Sequence, residues 1–354
     1  MNRMPKIGNG IKRAPLHAGG TLLAAMAIAC LPAPAAFASS GDTTAEESAV
    51  STTEATRIIT LGTVAGPIAL VKRSGSANVL QVGSRIYLID AGPGVSHQLA
   101  MAGVQPAQID RIFLTHLHFD HVAGLAPLLG YAWIARTGKP IEIYGPPATS
   151  TFVSDAEKYL SIPEGIYTAQ IPPSPTIADL VKPHDVDVTG PSVIYEDDKV
   201  RVTAVENTHY SAMPDGRRPL GAARSYSYRF DTPDRSVVFT GDTGPSDAVV
   251  ELAKGADVLV SEVLDLEGVI ALMKKTAFAG ATDAELKPTI DHQREEHLTP
   301  TEVGRLAARA GVKMVVLTHV GPGSDNETDM RQYTQGVRDV FDGVVVIARD
   351  GSEF

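Results

Sequence analysis

The chain has 354 residues, 44% of them hydrophobic and 20% charged, with a formal net charge of −10. That composition is enough for a large globular core. It shows no basic patch or stripe of the kind that nucleic-acid binders carry, so no nucleic-acid partner is expected.

The first residues read as an export signal. Residues 1–20 carry Arg3, Lys6, Lys12 and Arg13 and no acid, and the apolar run TLLAAMAIACLPAPAAFA ends in Ala36-Phe37-Ala38. A basic start, an apolar centre and a small-x-small end predict a signal peptide over 1–38, cut after Ala38, and a periplasmic or secreted destination. The apolar run is short and holds prolines, so no stable membrane span is expected. Cleavage would take the charge from −10 to −14 by removing those four basic residues. It would also remove Cys30, the one cysteine, and with it any disulfide. The alternative is that AIAC acts as a lipoprotein box and Cys30 is lipidated. Residues 39–56 are small, polar and acidic, which predicts a disordered leader.

From Arg57 the texture changes, and 57–354 reads as a single domain. RIITLGT, IALVK, NVLQVG and RIYLIDAG predict consecutive strands, each rich in Ile, Val and Leu and bounded by glycine. VSHQLAMAGV predicts a helix, IDRIFLTH a buried strand, HVAGLAPLLGYAWIA a helix starting at a histidine cluster, and PIEIYGPP another strand. Residues 150–190 are mixed and proline-bearing, which predicts short helical pieces. Strands return at SVIYED, VRVTAVEN, SYSYRFD, SVVFTGD and DVLVSEV. A helix follows at TPTEVGRLAARAGV, opened by a Thr299–Glu302 capping box. KMVVLTHVG and GVVVIARDG are the last strands. Two strand-rich halves with helices predict two mixed β-sheets packed face to face with helices outside.

Polar clusters sit at the ends of four of these strands: THLHFDH, His209, Asp242 and His319. Strand ends followed by loops are where a rigid scaffold presents chemistry. Imidazole and carboxylate are the ligands of zinc and related first-row metals. His116 and His118 can converge on one ion. Asp120 and His121, on the next turn, can face a second, and Asp242 is the natural bridge between them.

This constellation resembles the metallo-β-lactamase superfamily. The resemblance implies an α/β fold, the αββα sandwich, with His116, His118 and His209 on one metal, Asp120, His121 and His319 on the other, and Asp242 bridging. It also implies two divalent ions, with zinc the default and manganese or iron sharing the same ligands. The β-lactamases proper carry cysteine or serine where Asp242 stands, which disfavours antibiotic hydrolysis. LIDAGPGVSHQL, IEIYGPPAT, SYSYRF, FTGDTGPS, LVSEV and HLTPTEVGRLAARAGVKMVVLTHV together resemble the ribonuclease Z and arylsulfatase-like branch. That resemblance assigns His297 to proton or hydrogen-bond donation at the reacting oxygen. Asp90 has two readings: it orients a metal-bound histidine, or it caps the Gly-Pro-Gly turn. His17, His97, His184 and His292 match no motif.

A water shared by two cations has its pKa lowered toward neutrality, and Asp120 is placed to take its proton. No G-x-S-x-G elbow is present, and the mature chain would lack cysteine, so neither covalent route is supported. The chain is therefore expected to be an exported dinuclear hydrolase, with this water attacking a small phosphodiester or aryl sulfate ester. The alternatives are a lactonase or other carboxylic-ester hydrolase, with Tyr210 or Tyr226 near the carbonyl, and a metal-bearing binding protein without catalysis. The acidic charge, with only Lys158 and Lys182 as notable cations between 150 and 190, argues against transfer-RNA processing. The partner expected is a small-molecule ester, and the resemblance allows a homodimer. Residues 263–296 read as an insertion, either a lid over the site or a peripheral arm.

Overall fold

In the computed structural model, the residues described are 55–66, 68–135, 138–170, 175–213 and 223–354. The predicted signal peptide, Cys30, His17 and the leader through residue 54 lie outside them. Thr56, assigned to that leader by its polarity, is buried and already opens a strand.

Along Arg85–Ile89, successive side chains point to opposite faces of the strand. Ile86 and Leu88 enter one apolar cluster, and Tyr87 and Ile89 enter another. A strand buried on both faces must lie in the middle of a layered structure. The first half of the chain runs β1 (Thr56–Gly62), β2 (Ala77–Val82), β3 (Arg85–Ile89), α1 (Val95–Met101), β4 (Arg111–Phe113), α2 (Phe119–Val122), α3 (Leu125–Ile134), β5 (Ile141–Gly145), α4 (Thr149–Thr168), α5 (Ile177–Leu180) and β6 (Val181–Asp185). The second half runs β7 (Ser192–Glu196), β8 (Arg201–Glu206), β9 (Tyr226–Asp231), β10 (Ser236–Phe239), α6 (Asp247–Leu252), β11 (Val258–Leu264), α7 (Leu266–Lys275), α8 (Asp283–Glu295), α9 (Pro300–Ala310), β12 (Met314–Gly321), α10 (Arg331–Arg338), β13 (Val344–Ile347) and β14 (Ser352–Glu353).

Among the described residues the strands form two seven-stranded sheets, ordered β14-β1-β2-β3-β4-β5-β6 and β13-β12-β11-β10-β9-β8-β7. Both are mixed: β3 through β6 run parallel, as do β10 through β13, while the remaining pairs are antiparallel. An aromatic layer fills the space between the sheets. Phe113 packs edge-on to Phe230 at 5.2 Å and to Tyr228 at 6.0 Å, and the Tyr228 hydroxyl donates to the Leu114 carbonyl. α1, α3, α4 and α5 cover the outer face of the first sheet, and α6, α9 and α10 that of the second. This is the αββα sandwich expected.

Three local expectations fail. IALVK is a loop: the Val71 and Lys72 amides donate to the Asp325 carboxylate instead of to a neighbouring strand. The stretch after residue 148 is one 20-residue helix, α4, despite Pro163, because Val153, Ala156 and Leu160 form a buried stripe along it. The next stretch supplies β6, the edge of the first sheet. The capping box at Thr299 is present, with the Thr299 amide donating to Glu302 at 2.8 Å.

Candidate metal centre

β4 ends at Phe113, and its continuation carries Thr115 and His116 into the cleft between the sheets. His118 caps α2, whose single turn presents Asp120 and His121. The turn is latched to the end of β3: the Ala91 amide donates to the His121 carbonyl and the Gly124 amide to the Ala91 carbonyl. Gly92 makes the approach possible, since a Cβ there would sit 2.2 Å from the Asp120 carbonyl oxygen. The second sheet supplies His209 after β8, Asp242 after β10 and His319 from within β12. His319 lies inside its strand rather than past the end, with a positive φ of 42°.

All seven side chains predicted from the sequence come together here. His118 Nδ1 lies 3.1 Å from both His116 Nε2 and His209 Nε2. His121 Nε2 is 3.2 Å from Asp242 Oδ1 and 3.6 Å from Asp120 Oδ2. His319 Nε2 is 3.2 Å from Asp120 Oδ2 and 3.3 Å from Asp242 Oδ1. Asp242 Oδ2 faces the other way, 3.9 Å from both His116 and His209. Ligands about 2.0–2.1 Å from a tetrahedral zinc lie about 3.3–3.4 Å apart, close to most of these separations. His121 Nε2 and Asp242 Oδ1 are buried with no hydrogen-bond partner among the described residues. Uncompensated buried groups are costly, and a cation satisfies both. The donor set therefore fits divalent metal ions, held by histidine and aspartate.

The donors divide by protonation. Burial lowers the pKa of His116, His118 and His209, which keeps their lone pairs free, whereas the neighbouring carboxylates, Asp242 first, outweigh burial and raise that of His121 and His319, whose protons a bound cation would replace. Burial pushes Asp242 up, but His319 and His121 outweigh it and hold the carboxyl well below the usual range.

Asp90 takes the first of its two readings. Its Oδ2 accepts from His121 Nδ1 at 2.8 Å, and Oδ1 accepts the Thr115 amide at 2.8 Å. Asp90 holds this position at a positive φ of 62°, a conformation that costs a non-glycine residue about 1–2 kcal/mol. Asp90→Ala is expected to weaken metal retention by roughly 10- to 100-fold while leaving the fold intact. Titration of a chelator against the loaded protein, with circular dichroism alongside, checks this; unchanged retention would remove the orienting role.

His297 joins the cluster from the turn before α9. Its Nδ1 is 2.7 Å from Glu262 Oε2 and 3.9 Å from Asp242 Oδ2. His209, Asp242 and His297 are close enough to form a third metal-binding set. The hydrogen bond to Glu262 occupies Nδ1, the nitrogen 3.9 Å from Asp242, which favours a donor role for His297. Burial alone would lower its pKa, but Glu262 and Asp242 push it up to about 9.

Glu262 was missed in the sequence, although LVSEV held the signal: an acid in a strand where every residue is buried. Its other oxygen accepts the Thr243 amide at 2.5 Å, one residue past Asp242. His292 and Glu296 were also passed over, and both border the centre. Tyr210 lies 5.3 Å from His118, ring to ring. Tyr226 does not reach the site; it is fully buried and its hydroxyl donates to the Val186 carbonyl. His184 stacks on Tyr144 at the edge of the first sheet. Beside His118 and Tyr210 opens a cleft of about 300 Å³, walled by Leu117, Pro146, Phe152, Met213 and Arg224.

The family model of the beta-lactamase superfamily domain matches residues 85–320. The chain belongs to this superfamily and, within it, to the ribonuclease Z family, and it is a metal-dependent hydrolase. A ribonuclease Z of Mycobacterium bovis is 30% identical over 303 residues, covering 82% of this chain and 95% of the relative. Among solved structures, the metallo-β-lactamase fold protein YhfI from Bacillus subtilis aligns with a TM-score of 0.59 at 20% identity, over 84% of this chain and 98% of that one. The short form of human tRNase Z aligns at 0.58 and 21%, with the same coverage.

These relatives overturn the expected substrate. A small phosphodiester or aryl sulfate, with no nucleic-acid partner and no transfer-RNA processing, does not agree with relatives named as ribonucleases. The physical error lay in the charge argument. A net charge counts side chains over the whole surface and leaves out bound cations, which are the largest local charges at such a centre.

Proposed function

We propose that the chain is a metal-dependent ribonuclease that hydrolyses RNA phosphodiester bonds at the Asp242 centre. The observation that carries the reading is the division of Asp242: Oδ1 faces His121 and His319, and Oδ2 faces His116 and His209. One carboxylate turned toward two donor sets is an arrangement for two divalent ions, and zinc suits the imidazole-rich donors best. Such ions supply a water-derived nucleophile at neutral pH and neutralise charge on the phosphoryl oxygens.

The protein's own groups do the rest. The seven donors His116, His118, Asp120, His121, His209, Asp242 and His319 would hold the ions. Asp120, whose Oδ2 lies 3.2 Å from His319 Nε2 and 3.6 Å from His121 Nε2, is the acceptor for the proton released at attack. His297, protonated and steadied by Glu262, donates to the departing oxygen. The cleft beside His118 and Tyr210 receives a flanking nucleotide. Arg217 and Arg218 follow His209 within 15 residues of the sequence, while Arg224 in the cleft wall is paired with Asp187 and Glu206.

Export is part of the same proposal. It rests on the N-terminal charge and hydropathy pattern, and a mature N-terminus at Ser39, read by mass spectrometry, tests it.

The direct assay uses protein loaded with zinc or manganese and an end-labelled transfer-RNA precursor carrying a 3′ extension. Bis(p-nitrophenyl) phosphate serves as a general phosphodiester control. Site-specific cleavage that depends on added metal is the expected result. Turnover of the control without RNA cleavage would defeat the ribonuclease reading and leave the hydrolase.

A further inference from the structure

We propose that His292, on helix α8 of the insertion, is a substrate-positioning residue that hydrogen-bonds a ribose hydroxyl beside the scissile phosphate. The inference rests on the ribonuclease reading above. It starts from Glu296, a carboxylate only 4% exposed at the end of a helix whose one buried residue is Leu286. Burying a carboxylate there is costly unless its oxygens are satisfied. Glu296 Oε1 accepts the Ala212 amide at 2.8 Å, and Oε2 bonds His292 Nδ1. The Glu296 backbone carbonyl also accepts from His209 Nδ1 at 3.0 Å. One residue thereby registers His292 against a histidine of the metal centre.

The insertion is seated closely at this point. Gly244, two residues past Asp242, has no Cβ; one would lie 1.9 Å from the Glu295 carbonyl oxygen. The His292 ring centre is 5.9 Å from that of His209 and 5.5 Å from that of His297. A pair that only stabilised a helix surface would have both partners in water. Here the acid is buried and reaches across to the His209 loop, while the imidazole is about one-third exposed (36%) beside His209 and His297.

With Nδ1 committed to Glu296, Nε2 is the nitrogen left for a ligand. A ribose hydroxyl both donates and accepts, so it suits Nε2 in either protonation state. A phosphate oxygen suits only the protonated form. The insertion is in this sense a wall of the site, through one side chain.

The test compares wild type, His292→Ala and His292→Gln on an RNA substrate. The same RNA with single 2′-deoxy substitutions on either side of the cleaved bond is measured in parallel. Metal content and thermal midpoint are followed for each protein. Expected is a roughly tenfold lower kcat/KM for His292→Ala on all-ribose RNA, and partial recovery with glutamine. One deoxy substitution should reproduce the loss in wild type and cause no further loss in the alanine variant. Equal losses on ribose and deoxy substrates, or activity that falls only in step with metal content, would overturn the assignment. If wild type cleaves no RNA, the underlying ribonuclease reading fails, and that result is visible before any variant is made.

Discussion

Asp242→Ala is expected to lower hydrolysis by about 10³-fold or more, a larger effect than loss of any single histidine. Asp242 is the one donor shared by both sets, and its carboxylate faces five buried histidines, His297 among them. Alanine removes the bridge and the negative charge together. Asp242→Asn separates the two, since it keeps the shape and drops the charge. Both variants should bind fewer than two ions per chain, which metal analysis after gel filtration reads directly. Two tightly held ions and near-normal turnover in the alanine variant would remove Asp242 from the centre and with it the bridging proposal.

The second large effect concerns His297. His297→Ala is expected to cut kcat by roughly 10²- to 10⁴-fold, the range for loss of a positioned acid, with metal content unchanged. Glu262→Gln should show a weaker loss in the same direction, because the amide keeps a partner for Nδ1 but not the charge that favours its proton. Substrates with a good leaving group, such as p-nitrophenyl esters, need less help from an acid and should be less affected by either change. Metal loss in His297→Ala would instead assign the residue to the third donor set with His209 and Asp242.

The parts legible from the chain were those set by short-range pattern. THLHFDH placed four donors within six residues, at the end of an Ile-Phe-Leu strand, and a loop followed by one helical turn leaves such neighbours little choice but to converge. His209, Asp242 and His319 were legible because each stands at a strand and in the order that the resemblance leads one to expect. Period alone misled at IALVK, where Asp325, more than 250 positions away, takes the amides that would have paired in a sheet. Proline and glycine misled in α4, where packing of Val153, Ala156 and Leu160 prevails over local preference. Glu262 and the His292–Glu296 pair were hidden for a related reason. Their partners come from distant segments, and a lone acid or histidine in a sequence does not announce what it will face.

The two sheets have separate origins in the chain: β1 to β6 build one, β7 to β13 the other, and only β14 crosses back. His116, His118, Asp120 and His121 belong to the first half; His209, Asp242 and His319 belong to the second. Ions held between them would act as non-covalent cross-links between halves that otherwise meet through a mainly apolar seam with a few hydrogen bonds, such as Tyr228 to Leu114. The free cation concentration is then a stability variable, adding about 2.7 kcal/mol at one hundred times the dissociation constant. A chelator would act on this protein as a denaturant as well as an inhibitor, loosening the sandwich along the edge where the reaction takes place.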